Sequence, residues 1–461
     1  MVFNSVSFLI FFLPSVLLLY FLIPKRYRAA RNGVLLLFSL AFYAFGGAKY
    51  LLLLLLSILI NYLCGLYAAS HRTALCRKTA VVLAVALNLG LLGWFKYSGF
   101  AASILNSVGL PVPIPQVVLP IGISFFTFQG LSYVIDVSRG DAACQKNPFY
   151  TALYIALFPQ LVAGPIVRYT TIEREIISRD ENLIDFSDGL CRFLFGLSKK
   201  VLLANAMGEV ADPIFALAPA QLSTASAWVG AAAYTMQIYF DFSSYSDMAI
   251  GLGRMFGFHF LENFNYPYIA ASVSDFWHSW HISLTTWFRD YLYSPLGGSR
   301  CAAWKHVRNI VIVWLLTGLW HGASWNFVVW GLWFCVIQLG EKFIWGKHLA
   351  KLPRWLAHTY TMLIVIISWI FFRAPSLQAA GVYLAAMFGA GAKVFSPDAL
   401  YYLREYYPEF IVCLIGIFPL RKIFRLKKAP AASMAAALAL LVLTYMKLLS
   451  SGFQPFIYFQ F

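Results

Sequence analysis

The sequence predicts an all-α polytopic membrane protein, and composition, the length of its apolar runs and its basic loops all indicate this class. Of its 461 residues, 61% are hydrophobic and only 12% are charged, whereas soluble domains carry about 25% charged residues. Apolar runs such as Tyr50–Ala69 and Thr79–Phe95 approach the length that spans a bilayer. The formal net charge of +16 then indicates basic residues beside the membrane rather than nucleic-acid binding.

The first apolar segment, Val6–Ile23, predicts a membrane span and not a signal peptide. It has no charged region before it and no small-residue cleavage site after it. The basic loop Lys25–Arg31 follows at once, which places the N-terminus outside and this loop in the cytoplasm. The hairpin of Val34–Gly46 and Tyr50–Ala69 returns to a second basic loop, His71–Lys78, on the same side.

The remaining apolar segments bring the predicted number of transmembrane helices to about eleven. Several are shorter than the roughly 20 residues of a perpendicular span, which favours re-entrant or cavity-lining helices. The further candidates are Thr79–Phe95, Val117–Val137, Phe149–Val162, Ala227–Gly251, Val307–Gly322, Asn326–Lys342, Leu356–Phe371, Phe410–Leu420 and Pro430–Leu449.

The C-terminal region predicts one more crossing. The basic cluster Arg421–Lys428 is typical of a cytoplasmic loop, so the next span carries residues Ser450–Phe461 to the outer face. No internal repeat, linker or soluble domain is visible. We therefore expect a single integral-membrane domain over residues 1–461, with residues 450–461 as an extracytoplasmic tail.

Two features have an ordinary structural interpretation. Seven cysteines show no paired spacing, which argues against a disulfide framework or a zinc ribbon. The longest polar stretch, Arg168–Asp188, has amphipathic spacing and predicts a solvated surface helix.

The segment Leu316–Asn326, LTGLWHGASWN, is the first candidate site. It places His321 inside an apolar region of membrane length. An imidazole at that depth is costly unless it faces a wet cavity or a partner, so an intramembrane ionisable residue indicates a functional site.

The second candidate is Asn263–Arg300, which is too polar to span the membrane freely and is rich in tryptophan and tyrosine. Such a segment suits the membrane interface or the wall of a cavity. Ser272 and Ser274 are candidate N-caps for a helix, on which His278 and His281 would share one face at a spacing of three residues.

Three interpretations of these histidines remain open. A metal site formed by His278, His281 and His321 is disfavoured because no acidic residue stands beside them at a ligand-like spacing. Indole or carbonyl partners could satisfy the imidazoles in a purely structural role. In the third, a neutral imidazole in a buried chamber takes a proton from an alcohol acceptor.

Several long motifs, in order, resemble the membrane-bound O-acyltransferase family, in the branch that includes the alginate O-acetylation membrane protein. The resemblance covers nearly the whole chain. The motifs are FFTFQGLSYVIDV (Phe125–Val137), FPQLVAGPIVRY (Phe158–Tyr169), YFDFSSYSDMAIGLGRMFG (Tyr239–Gly257), NFNYPY (Asn263–Tyr268), FWHSWHISLTTWFRDYLYSPLGG (Phe276–Gly298), LTGLWHGASWNFVVWG (Leu316–Gly331) and PFIYFQF (Pro455–Phe461).

The resemblance implies a fold, a reaction and roles for two histidines. The fold is a ring of tilted helices around a funnel, with re-entrant helices from the cytoplasmic side. His321 falls on the essential catalytic histidine and His281 on the second family histidine, while His278 stands where relatives commonly carry arginine. Members of this branch move an acetyl group from cytoplasmic acetyl-CoA outward to a polysaccharide or cell-wall glycan, with a separate extracytoplasmic hydrolase-like partner.

On this hypothesis His321 is the general base for the accepting hydroxyl, and His281 orients donor or acceptor. The phosphates of CoA would need cations. The candidate donor-binding residues are Arg289, Lys305, Arg308, Lys199 and Lys200. For Lys199 and Lys200, ordinary anchoring beside the membrane is an equal alternative. For Arg289, a buried structural ion pair with Asp290 is favoured.

Tyr458 in the predicted outer tail carries a hydroxyl that is a competent acyl acceptor. It could relay the acetyl group, or the tail could dock a partner through its aromatic rings. An interfacial aromatic belt is the simplest alternative.

Other functions stay open at this stage. A lipid or protein acyltransferase of the wider family would keep His321. A transporter or scaffold for polysaccharide export would need several intramembrane carboxylates or an inverted repeat, and the few candidates (Asp136, Asp241, Asp247) disfavour it. The basic loops predict that the protein lies in a bacterial cytoplasmic membrane, where it contacts the membrane lipids. The acceptor glycan and the choice between acetyl-CoA and an acyl carrier protein are undetermined.

Overall fold

The computed structural model describes residues 2–70, 73–390, 393–419, 430–451 and 456–457. Within these ranges all regular secondary structure is helical and no strand occurs, which confirms the predicted all-α class. The chain divides into two compact units, residues Met1–Phe193 with Tyr245–Leu261, and residues Leu194–Ser244 with Glu262–Phe461.

The first unit is built on helices with a buried aromatic core. Helix α6 is buried along most of its length because it packs on both α3 and α4. Its helices are α1 (Leu13–Leu22), α2 (Arg28–Ala44), α3 (Ala48–Ser70), α4 (Ala74–Leu92), α5 (Ser98–Ser107), α6 (Ile123–Arg139), α7 (Pro148–Ala156), α8 (Phe158–Leu161), α9 (Tyr169–Ile177) and α10 (Leu183–Ser198).

The second unit contains both candidate histidine segments. Helix α10 continues past Phe193 and α12 begins before Tyr245, so each contributes residues to both units. The helices from here on are α11 (Asn205–Phe215), α12 (Thr224–Met255), α13 (Val273–Ser279), α14 (Ile282–Phe288), α15 (Ala303–His321), α16 (Trp325–Gly340), α17 (Gly346–Leu349), α18 (Arg354–Arg373), α19 (Leu377–Met387), α20 (Pro397–Glu405), α21 (Tyr407–Gly416) and α22 (Pro430–Ser451).

Five helical stretches in the described ranges are long and apolar enough to cross a membrane, each within or overlapping a predicted span. Three shorter apolar helices accompany them, at Phe8–Leu22, Leu377–Met387 and Tyr407–Gly416. This pattern is that of a multi-pass membrane protein, while the predicted number of about eleven spans stays a prediction. The five stretches are Ala48–Ser70, Ala74–Ser107, Trp325–Leu349, Arg354–Arg373 and Pro430–Ser450.

The prediction of one solvated helix over Arg168–Asp188 is wrong. The chain leaves the helical conformation between α9 and α10, and Arg179 and Glu181 in that connection are 7% and 6% exposed. Glu181 forms ion pairs with Arg28, Arg31 and Arg179. Arginines distant in sequence therefore compensate a charge that its neighbours suggested was in water.

The Glu181 cluster is closed by hydrogen bonds as well as charge. Tyr20 donates its hydroxyl to Glu181, and Arg179 Nε donates to the Phe256 carbonyl at 2.9 Å. Burial on its own would raise the pKa of Glu181, but the hydrogen bonds from Arg28 and Tyr20 and the nearby guanidinium charges outweigh it and lower the pKa to about 2. The carboxylate therefore stays ionised at neutral pH.

Candidate active site

Helices α15 and α16 form a closely packed hairpin that carries His321 at its turn. A Cβ atom on Gly318 would lie 2.3 Å from the Phe327 carbonyl oxygen, and one on Gly331 would lie 2.4 Å from that of Trp314. Only glycine allows backbones to approach this closely, as is common where membrane helices pack. The glycines of the LTGLWHG and NFVVWG segments therefore allow the close helix contact that positions the end of α15, where His321 lies.

His321 lies at the C-terminal end of α15 and is 6% exposed. Its ring packs edge-to-face against Trp330, with ring centroids 4.8 Å apart, and against Phe372 at 5.3 Å. A small chamber of about 20 Å³ adjoins the imidazole, which is room for about one water molecule. It is lined by Ile238, Asp241, Phe242, Trp280, His321, Trp330, Trp369, Phe372 and Ile457.

His281 is completely buried and lies outside the lining of this chamber. Its ring contacts Phe242, which does line the chamber, with centroids 4.6 Å apart, and Trp320 at 5.9 Å. Trp320 in turn contacts His321 at 5.0 Å. The two candidate histidines thus share Trp320 as an aromatic neighbour, and His281 packs against Phe242, a residue of the chamber wall.

The prediction that His278 and His281 share one helical face is wrong. Helix α13 ends at Ser279, and His281 adopts a left-handed conformation (φ 44°) just before α14. Asn263 holds this turn, because its carbonyl accepts the Ile282 N–H at 2.9 Å and its side-chain oxygen accepts the Ser283 hydroxyl at 2.8 Å. The Nδ1 atom of His281 lies 3.2 Å from the same Asn263 oxygen.

The predicted start of this region agrees with the structure. Ser272 is the N-cap of α13, and its hydroxyl accepts the Asp275 N–H at 3.0 Å. The Glu341 carboxylate accepts two further N–H groups of the same turn, from Val273 at 2.9 Å and Ser274 at 3.2 Å. The NFNYPY and WHISL segments together position His281, through the contacts of Asn263 with the turn before α14.

A larger cavity of about 870 Å³ lies in the same unit. Trp277 and Trp314 line it, and their rings are 4.9 Å apart. Trp277 also contacts Trp330 of the small chamber, with centroids 5.8 Å apart. A layer of indole rings therefore stands between the two cavities. The charged and titratable residues of the larger cavity are Asp275, His278, Arg289, Tyr293, Glu341, Lys342 and Arg354.

Of the five predicted donor-binding cations, the structure brings only Arg289 to this cavity. Lys305 and Arg308 are exposed on the first turns of α15, each 5.6 Å from the Trp304 ring centroid. The ion pair of Arg289 with Asp290 is not buried as predicted, since the Arg289 side chain is 59% exposed.

Lys199 and Lys200 lie on a π-helical segment, Lys199–Ala204, outside the lining of both cavities. Lys199 donates to the Ser243 hydroxyl at 3.2 Å. Lys200 pairs with Asp241, and both side chains are 3% exposed. This pair was not predicted from the sequence, although the YFDF motif that contains Asp241 was a signal.

Tyr458 lies outside the described residues, whereas the two residues before it are described. Among the described residues, no group of three or more His, Cys, Asp or Glu side chains is arranged to hold a metal ion.

The chamber can support proton transfer. It sets a buried imidazole, a group that can take up a proton, beside a space for one small group. The aromatic walls leave little room for water, which strengthens polar interactions inside.

Residues 40–381 match the model of MBOAT, the membrane-bound O-acyltransferase family. A protein of Azotobacter vinelandii named "Probable alginate O-acetylase AlgI" is 39% identical, and the match covers 100% of both chains. The protein of that name from Pseudomonas aeruginosa is 43% identical over 85% of this chain and 75% of its own. A "Peptidoglycan O-acetyltransferase" of Helicobacter pylori is 34% identical over 84% of this chain and 80% of its own. The chain therefore belongs to the membrane-bound O-acyltransferase family and is an O-acyltransferase.

Proposed function

We propose that the protein transfers an acetyl group from cytoplasmic acetyl-CoA, across the membrane, toward O-acetylation of an extracytoplasmic polysaccharide or cell-wall glycan. The observation that carries this proposal is His321 in a chamber of about 20 Å³ beside a cavity of about 870 Å³. The relatives, named for alginate and peptidoglycan acetylation, support a glycan as the final acceptor.

The sizes of the two cavities favour a short acyl group on a large carrier. The small chamber is walled by Trp280, Trp369 and Phe372 and has no room for a long aliphatic chain. The larger cavity offers tryptophan surface for an apolar arm and cations for phosphate groups. Acetyl-CoA combines these features.

In the proposed mechanism His321 acts as the general base. Its neutral imidazole takes the proton of the acceptor hydroxyl as the oxygen attacks the thioester carbonyl carbon. The tetrahedral intermediate then breaks its C–S bond, and the imidazolium returns the proton to the leaving thiolate. His281, which contacts the chamber only through Phe242 and Trp320, positions those walls.

The proposed arrangement in the membrane follows from the basic loops. Both termini are proposed to be extracytoplasmic, and the protein to lie in the bacterial cytoplasmic membrane as a single membrane domain over residues 1–461. A hydrolase-like partner on the outer side receives the acetyl group and completes transfer to the glycan. Lys305 and Arg308, exposed on α15, are proposed to meet the donor as it approaches the larger cavity, whereas the contacts of Lys199 with Ser243 and of Lys200 with Asp241 favour a structural role for those two lysines.

The experiment supplies labelled acetyl-CoA to one face of sealed membrane vesicles that contain the protein and the outer-face partner. We expect labelled glycan only when the donor meets the cytoplasmic face. Transfer that requires an acyl carrier protein, or donor on the outer face, would contradict the proposed donor or orientation.

Replacing Arg289 with alanine tests the larger cavity as the donor site. We expect KM for acetyl-CoA to rise about 2- to 5-fold with kcat unchanged, because an exposed ionic contact contributes about 0.2–1 kcal/mol. The matched control is Lys351→Ala, which removes an exposed cation that does not line the cavity. Equal KM values in the two variants would exclude Arg289 from donor binding.

Tyr458 is proposed to carry the acetyl group from the chamber to the partner. Tyr458→Phe keeps the ring and removes the nucleophilic hydroxyl, so we expect glycan acetylation to cease while the protein still accumulates in the membrane. The measurement is acetyl content of the polymer at matched expression. Undiminished acetylation would leave the tail a docking role only.

A further inference from the structure

The pair of Lys200 and Asp241 is unusual because both charges are almost completely removed from water. Each side chain is only 3% exposed. Burying an ion pair costs several kcal/mol per ion, and well-packed apolar residues would often be at least as stable. Stability alone therefore does not explain why the chain places a lysine and an aspartate here.

Both members of the pair contact the C-terminal segment. One carboxylate oxygen of Asp241 pairs with Lys200, and the other accepts the backbone N–H of Ile457 at 2.8 Å. The ammonium nitrogen of Lys200 lies 4.7 Å from the centroid of the Phe456 ring, within the range of a cation–π interaction. We call these four residues the tail clasp.

The tail clasp lies at the small chamber. Asp241 and Ile457 both line it, together with His321. Phe456 and Ile457 are 1% and 8% exposed. Both residues are therefore buried at the candidate site, and Ile457 forms part of the chamber wall.

We propose that Lys200 and Asp241 are positioning residues that hold Phe456 and Ile457 against the His321 chamber, which makes these two residues part of the site. Asp241 aligns the backbone through the Ile457 N–H, and Lys200 pairs with Asp241 and covers the Phe456 ring. The effect on turnover rests on the proposed function, whereas the location of the segment does not.

The first test removes the backbone donor at position 457. Ile457→Pro leaves both charges in place but has no N–H, whereas Ile457→Val keeps the N–H and measures what the side chain contributes. We expect the proline variant to lose about 10- to 100-fold more kcat than the valine variant, with KM for acetyl-CoA and the melting temperature equal in the two. Equal kcat values would overturn the proposal, as would a proline defect that appears only as a lower melting temperature.

The second test follows the segment directly. A photo-crosslinking p-benzoylphenylalanine at position 456 is expected to attach to the peptide that contains Lys200 or Asp241. The double variant Lys200→Met with Asp241→Asn leaves no lone buried charge, so it is expected to fold, lose the crosslink and lose kcat together. A crosslink that persists in the double variant would overturn the clasp, and a lost crosslink with full kcat would overturn its positioning role.

The two tests separate this inference from the proposed function. If the unaltered protein transfers no acetyl group from acetyl-CoA, the proposed function fails. A crosslink that depends on the ion pair would still support the clasp, and its absence would overturn it.

Discussion

Replacing His321 with alanine is expected to lower acetyl transfer by about 10²- to 10⁴-fold, the usual contribution of a positioned acid–base group. The expected loss is in kcat, because the side chain lines the small chamber and not the larger cavity. The measurement compares consumption of labelled acetyl-CoA in membranes at matched expression.

Two further variants make the His321 result specific. His321→Gln keeps a polar side chain of similar length but cannot take up the proton, so it should be as inactive as alanine. His348→Ala removes an exposed imidazole outside both cavities and should retain activity. If the His321 variants consumed acetyl-CoA as fast as the unaltered protein, His321 would have no role in the chemistry.

Replacing Glu181 with glutamine is expected to reduce the stability of the protein by about 3–5 kcal/mol, the usual cost of breaking a buried ion pair. Glutamine has nearly the same shape, but it leaves Arg28, Arg31 and Arg179 without their common counter-charge. The measurement is thermal unfolding of the detergent-solubilised protein.

The neighbouring Asp180 provides the control. Its ion pair with Lys25 is exposed, at 79% and 58% of the two side chains, so Asp180→Asn should change stability by less than about 1 kcal/mol. Similar melting temperatures for the two variants would show that the buried cluster does not hold this unit together.

The same cluster predicts how the stability of the protein changes with pH. The pKa of Glu181 is lowered from 4.5 to about 2, so its contribution is fully present above pH 4.5 and is lost as the pH falls toward 2. Between these values the unaltered protein should lose its stability advantage over Glu181→Gln. A difference in melting temperature that did not shrink over this range would contradict the assignment.

Local features of the site were predictable where neighbouring residues determine them. The apolar runs predicted helices such as Ala48–Ser70, and the serine before Val273–Ser279 predicted its N-cap. His321 was identified because placing an imidazole in an apolar membrane segment costs free energy, and such a residue therefore indicates a functional site. Its burial at the end of α15 agrees with that argument.

What the sequence could not predict depends on contacts between distant segments. Glu181 looked solvated because its neighbours are charged, yet its partners Arg28 and Arg31 lie about 150 residues away. Lys200 was predicted to meet the donor or to anchor the protein beside the membrane, because its partner Asp241 is 41 positions further along the chain. The left-handed turn at His281 depends on Asn263, and spacing alone suggested a continuous helix.

The glycine contacts between α15 and α16 have a consequence for how substrates move. With backbone against backbone at Gly318 and Gly331, α15 and α16 cannot move closer together, and His321 at the end of α15 is held by that contact. On the proposed function, an acyl group would therefore enter past side chains that other segments contribute to the chamber, Trp369 and Phe372 of α18 and Ile457. Rotation of these side chains, rather than displacement of the histidine, is the movement that this arrangement favours.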